Sequence, residues 1–166
     1  MKRIVSTLSL SFLAACSFAP LSIPVANFYI ASGSSATLIC YSKVSKAITV
    51  QFASVVYEGD ALYQPGQGLG DNSTVELQLY GRASDPDPGS SAQVKCVNES
   101  AEDILLSSTP ISLVANEQKR VFAGGSSLAQ LVSKNEYYLG GSLNDGTIFG
   151  FPGRIDFTDG VVKANF

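Results

Sequence analysis

Hydrophobic and polar residues alternate along much of the chain with a period of two, the spacing of half-buried strands. In the stretch 74–80, Val75, Leu77 and Leu79 share one face, opposite Glu76, Gln78 and Tyr80. The same reading predicts strands at 28–32, 36–44, 47–57, 74–82, 92–98, 103–107, 110–115, 118–123, 136–140, 147–151, 154–158 and 161–165. Glu58-Gly59-Asp60, Asp85-Pro86-Asp87-Pro88-Gly89 and Asn144-Asp145-Gly146 separate them as turns. Asp159-Gly160, set between Ile155-Asp156-Phe157 and Val161-Val162, predicts a hairpin. One helix is expected at 126–133, with Ser126 as N-cap and Leu128, Leu131 and Val132 on one side. Short strands joined by Gly-rich turns make the chain all-β, an antiparallel β-sandwich over 28–166.

Composition narrows the function classes. Of 166 residues, 45% are hydrophobic and 15% charged, and the formal net charge is −3. No basic cluster is available to neutralise phosphates, which excludes a nucleic-acid partner. The chain has no His. That removes Ser-His-Asp and Cys-His nucleophile systems, most zinc sites and nearly all copper sites. No cofactor and no metal site is expected.

The N-terminus, MKRIVSTLSLSFLAACSFAP, has a positive start at Lys2 and Arg3 and a short apolar run from Ile4 to Ala15. Such a run is too short to span a bilayer and has the form of a secretory signal over 1–15. Leu13-Ala14-Ala15-Cys16 resembles the lipobox of bacterial lipoproteins. The resemblance implies cleavage before Cys16 by type II signal peptidase and lipidation of the Cys16 thiol. Loss of Lys2 and Arg3 then takes the formal charge from −3 to −5. Ser17 stands where an Asp would signal inner-membrane retention in some Gram-negative bacteria, so the outer membrane is favoured. Residues 16–27, with Pro20 and Pro24, are expected to form the lipidated N-terminus and a stiff tether.

With Cys16 assigned to lipid, Cys40 and Cys96 remain. Alternation groups Ala36, Leu38 and Cys40 on one strand face, and Ala92, Val94 and Cys96 on another. Both thiols are therefore expected to point inward, and an oxidising envelope would let them pair. Two separate buried thiols are the alternative.

The stretch 34–115 resembles an immunoglobulin-like sandwich. SATLICYS is similar to its second strand, STVELQLY to its fifth and SAQVKCVN to its sixth. The resemblance implies a Cys40–Cys96 bridge between the two sheets, although no Trp is present to pack on it and Val94 replaces the tyrosine-corner residue. A rival all-β architecture is a small eight-stranded outer-membrane barrel. The terminal Phe166, with Ala164 and Val162 alternating behind it, resembles the C-terminal signature of such barrels.

The remaining motifs are modest. Gly66-Gln67-Gly68-Leu69-Gly70 has neither the Lys-Ser/Thr nor the following helix of a phosphate-cradling loop. Segment 58–73 reads as a long loop carrying Leu62, Tyr63 and Leu69, the candidate partner-binding residues. Asp85 and Asp87 on a proline-fixed turn are candidate calcium ligands, and Tyr137-Tyr138 with Phe149-Gly150-Phe151 a candidate sugar platform. No catalytic residue stands out. The sequence points to a lipid-anchored, non-enzymatic envelope protein that binds or scaffolds another envelope protein. A surface carbohydrate-binding or adhesive module, with glycan as partner, is the alternative.

Overall fold

The computed structural model describes residues 20–31, 38–45, 51–66, 73–143 and 153–165. The strands are β1 (Leu21–Pro24), β2 (Phe28–Ala31), β3 (Leu38–Ser45), β4 (Ser54–Pro65), β5 (Thr74–Arg82) and β6 (Val94–Asn98). They continue with β7 (Ile104–Leu105), β8 (Ile111–Val114), β9 (Gln118–Gly124), helix α1 (Ser126–Val132), β10 (Glu136–Leu143) and β11 (Gly153–Asn165). All pairing between named strands is antiparallel.

Two sheets form. One runs β1-β11-β4-β9, with β2 also on β11; the other runs β6-β3-β10-β5-β7, with β8 also on β5. They are not closed into a barrel. The architecture is the all-β sandwich, and the eight-stranded barrel is set aside.

The main core lies between the sheets and draws on both. Val55, Tyr57, Ala61 and Tyr63 from β4 meet Ile155, Phe157, Val162 and Ala164 from β11 and Leu77, Leu79, Tyr137 and Leu139 from the other sheet. Phe28 stacks on Phe157, its paired residue across the strands, with centroids 4.4 Å apart. Leu128, Leu131 and Val132 of α1 are buried against β4, β9, β10 and β5, so the helix closes part of the sandwich.

A second, smaller apolar cluster covers the outer face of the six-stranded sheet: Ile39, Tyr41, Tyr80 and Tyr138, with Val97 against it. Both faces of β3 are therefore buried.

Four expectations change. Asp159-Gly160 is a β-bulge, not a hairpin. Thr158 pairs with Asp60 and Val161 with Glu58, so Asp159 and Gly160 together oppose Gly59. Asp159 adopts a φ of 51°, a conformation that serves a bulge as well as a turn. The extra residue shifts the inward phase from Ile155 and Phe157 to Val162 and Ala164 along one continuous strand. On β4, a side chain at Gly59 would meet the Tyr57 hydroxyl 2.5 Å from its Cβ, so the expected Glu58-Gly59-Asp60 turn is strand interior under a tyrosine tip. Leu21–Pro24, expected within the tether over 16–27, instead pairs with Val161–Ala164 as an edge strand, where Pro is tolerated. Finally, Ser126 is the first helical residue, not the cap. Gly125 caps α1 at a φ of 113°, which disfavours any residue with a Cβ.

Candidate functional site

Two of the three sequence-predicted contact residues, Leu62 and Tyr63, lie on strand β4 and not on a loop. Tyr63 is 1% exposed and lies in the main core, on the inward face of β4 with Val55, Tyr57 and Ala61. Leu62 is half-buried on the opposite face, paired with Asp156 on β11 and Gln118 on β9. Leu69 lies outside the described residues, as do Cys16, the LAAC motif and the 147–151 segment. The period-two pattern runs unbroken from Val55 to Tyr63; reading Gly59 as a turn hid it.

Cys40 and Cys96 form the expected disulfide. It does not bridge the sheets: the two residues are paired directly on neighbouring strands, β3 and β6. Cys40 is fully buried, whereas Cys96 and Ala92 are exposed and Val94 is half-buried, because β6 is an edge strand. Val94 packs against the main core and Cys96 is bonded to the core residue Cys40, so the expected inward phase holds on β6, with Ala92 lying before the strand.

The outer face of the five-stranded sheet carries an ionic ladder. Arg120 on β9 contacts Asp60 at 2.9 Å and Glu58 at 3.5 Å on β4, and Lys163 on β11 pairs with the same Glu58. Gln118 Nε2 donates to Asp60 Oδ2 at 2.7 Å. Arg154 pairs with Asp156 at 2.5 Å and lies over the Tyr29 ring, 4.2 Å from its centroid. Lys163 and Arg120 hold the Glu58 carboxyl below its ordinary range, and Arg120 and Gln118 do the same for Asp60.

Apolar side chains stand out of this neutralised surface. Phe122 is 55% exposed, Tyr29 42% and Val56 41%. Phe122 is paired with Glu58, and Val56 with Gly124, which makes Val56 and Phe122 diagonal neighbours on β4 and β9. Tyr29 sits on β2, three strands from β9 and in register with Gln118, which puts it about 20 Å from Phe122 on the same face. Phe122 was missed from sequence. Its one signal is an aromatic in the polar phase of β9, between the buried Val121 and Ala123.

The other sheet carries a polar network over its tyrosine cluster. Tyr41 Oη donates to Asp103 Oδ1 at 2.7 Å, and Arg82 reaches Asp103 at 3.4 Å and Glu102 at 2.7 Å. Ser84 Oγ donates to the same Glu102 carboxylate at 2.5 Å. Burial and the Asp103 carboxylate push the Tyr41 hydroxyl far above its usual range, so it acts as a fixed donor. This network clamps residues 99–107 onto the sheet.

The Asp85 carboxylate is taken by Lys95 at 2.7 Å, and its second oxygen lies 2.8 Å from the same ammonium. Among the described residues, no group of three His, Cys, Asp or Glu could hold a metal ion. Tyr137 and Tyr138 face opposite sides of β10 and are both buried, so they make no exposed platform. Among the described residues, no helix is long and apolar enough to cross a membrane. Comparison with family models, curated proteins and solved structures gives no match to this chain.

Proposed function

We propose that this protein is a lipid-anchored, non-catalytic binding or scaffolding protein of a bacterial cell envelope. It docks on another envelope protein through the outer face of the five-stranded sheet. The observation that carries this reading is the joint exposure of Phe122, Val56 and Tyr29 on one face whose charges are already paired. A few apolar anchors dominate most interfaces, and pre-paired charges lower the desolvation cost around them.

The carboxylates favour contact over catalysis. Glu58, Asp60, Asp85 and Glu102 are all held below their ordinary range by hydrogen-bonding and cationic partners. A general acid needs the opposite shift. The anchor is Cys16, and Ser17 after it favours the outer membrane.

Two variants test the reading. Cys16→Ser should leave an unprocessed precursor that takes up no labelled palmitate; normal processing would contradict the anchor. Combined Tyr29→Ser, Val56→Ser and Phe122→Ser should release the partner in membrane pull-downs while leaving the thermal midpoint nearly unchanged. Retention of every partner would contradict the docking face.

A further inference from the structure

A cavity of about 340 Å³ opens where the chain leaves the Asp85–Ser90 turn and enters β6. Ser42 and Tyr138 line it from the six-stranded sheet, and Asp85, Ser91, Gln93 and Lys95 from the segment running along it. Its volume lies at the small end of the range for ligand sites.

The charges within it cancel. Lys95 Nζ donates to both Asp85 oxygens, at 2.7 and 2.8 Å, and to the Asp87 carbonyl at 2.7 Å, which occupies its three protons. Lys43, at the rim, is paired with Glu136 at 2.8 Å. An anionic ligand would find no uncommitted cation here and would face the ionised Asp85. A purely apolar ligand would strand the polar walls without partners.

The uncommitted groups are neutral. Ser91 and Gln93 are exposed and make no side-chain hydrogen bond among the described residues. Ser42 Oγ is buried, also without a partner. Each hydroxyl both donates and accepts, and the Gln amide offers both kinds of group. Two-way polar groups at the exposed Ser91 and Gln93, in a cleft of no net charge, are complementary to a sugar, whose hydroxyls donate and accept.

We propose that this cleft binds a neutral saccharide, one or two sugar units in size. The site is separate from the docking face on the other sheet, and either can stand without the other.

The test is titration of the isotopically labelled protein with the methyl glycosides of glucose, galactose and N-acetylglucosamine, read by backbone amide shifts. At least one glycoside should move the amides of residues 90–95 in a saturable manner, with millimolar or tighter affinity. Glucuronate and inorganic phosphate should bind no more tightly. Ser91→Ala and Gln93→Ala, both at exposed positions, should each weaken binding about threefold to tenfold with the rest of the spectrum unchanged. No shift at residues 90–95 with any glycoside at tens of millimolar would overturn the proposal. So would tighter binding of either anion, or unaltered affinity in both variants.

Discussion

Cys40 and Cys96 face each other across β3 and β6 with their Cα atoms 4.0 Å apart, so the disulfide ties neighbours within one sheet. The tie is local in space and long in sequence, at a separation of 56 residues. Between the two cysteines the chain contributes β4 to one sheet and β5 to the other. Opening the bridge frees that whole loop in the unfolded state. The loop-closure argument then gives a loss of about 4 kcal/mol for combined Cys40→Ala and Cys96→Ala, measurable by urea unfolding. A loss under about 1 kcal/mol would mean that the β3–β6 ladder alone holds this edge.

Tyr57 carries a buried hydroxyl that has no partner among the described residues. Burial pushes its pKa from 10.0 up to about 12. The unfolded state therefore loses this proton first as pH rises, so stability falls between pH 10 and 12, by roughly 2–3 kcal/mol from this residue. Tyr57→Phe should stabilise the protein at neutral pH by about 1 kcal/mol, because an unpaired polar group leaves the core. It should also blunt the alkaline loss, with Tyr41 and Tyr137 supplying the remainder. Thermal melts at pH 7 and across the alkaline range check both signs.

Acid acts through the ladder on the opposite surface. Folding lowers the pKa of Glu58 and Asp60, so their contribution is complete above the unfolded carboxylate range near 4 and is lost as pH falls through the lower folded values. Melts between pH 5 and 2 should show this loss. Glu58→Gln with Asp60→Asn should make the thermal midpoint less sensitive to pH over that window, at the cost of a lower midpoint at pH 7.

Much of this fold is written in the alternation of side chains. β5 occupies 74–82 as expected, and α1 buries Leu128, Leu131 and Val132 as expected. The misreadings share a cause: turn-forming residues also serve strand irregularities. Asp159-Gly160 marks a bulge because β4 runs uninterrupted beside it for 12 residues, a nonlocal fact that no local pattern contains. Gly59 accommodates the tip of Tyr57 instead of reversing the chain, and with that turn gone Tyr63 moves from an imagined loop into the core. The disulfide pairing was legible, but which sheet each cysteine joins depends on strand order. The exposed apolar group on the five-stranded sheet is not legible in the sequence, since Phe122, Val56 and Tyr29 come from three strands far apart in the chain.

The docking face is the central claim, and photocrosslinking tests it most directly. A photoreactive phenylalanine analogue placed at Phe122, with Leu105 as the control position, would be activated in native membranes. Leu105 is 47% exposed on β7 of the other sheet, so the two sites compare similar exposure on different surfaces. The account predicts a discrete protein adduct from position 122, absent from 105 and lost when Val56→Ser and Tyr29→Ser are added. No adduct from 122, or the same adduct from both positions, would contradict it.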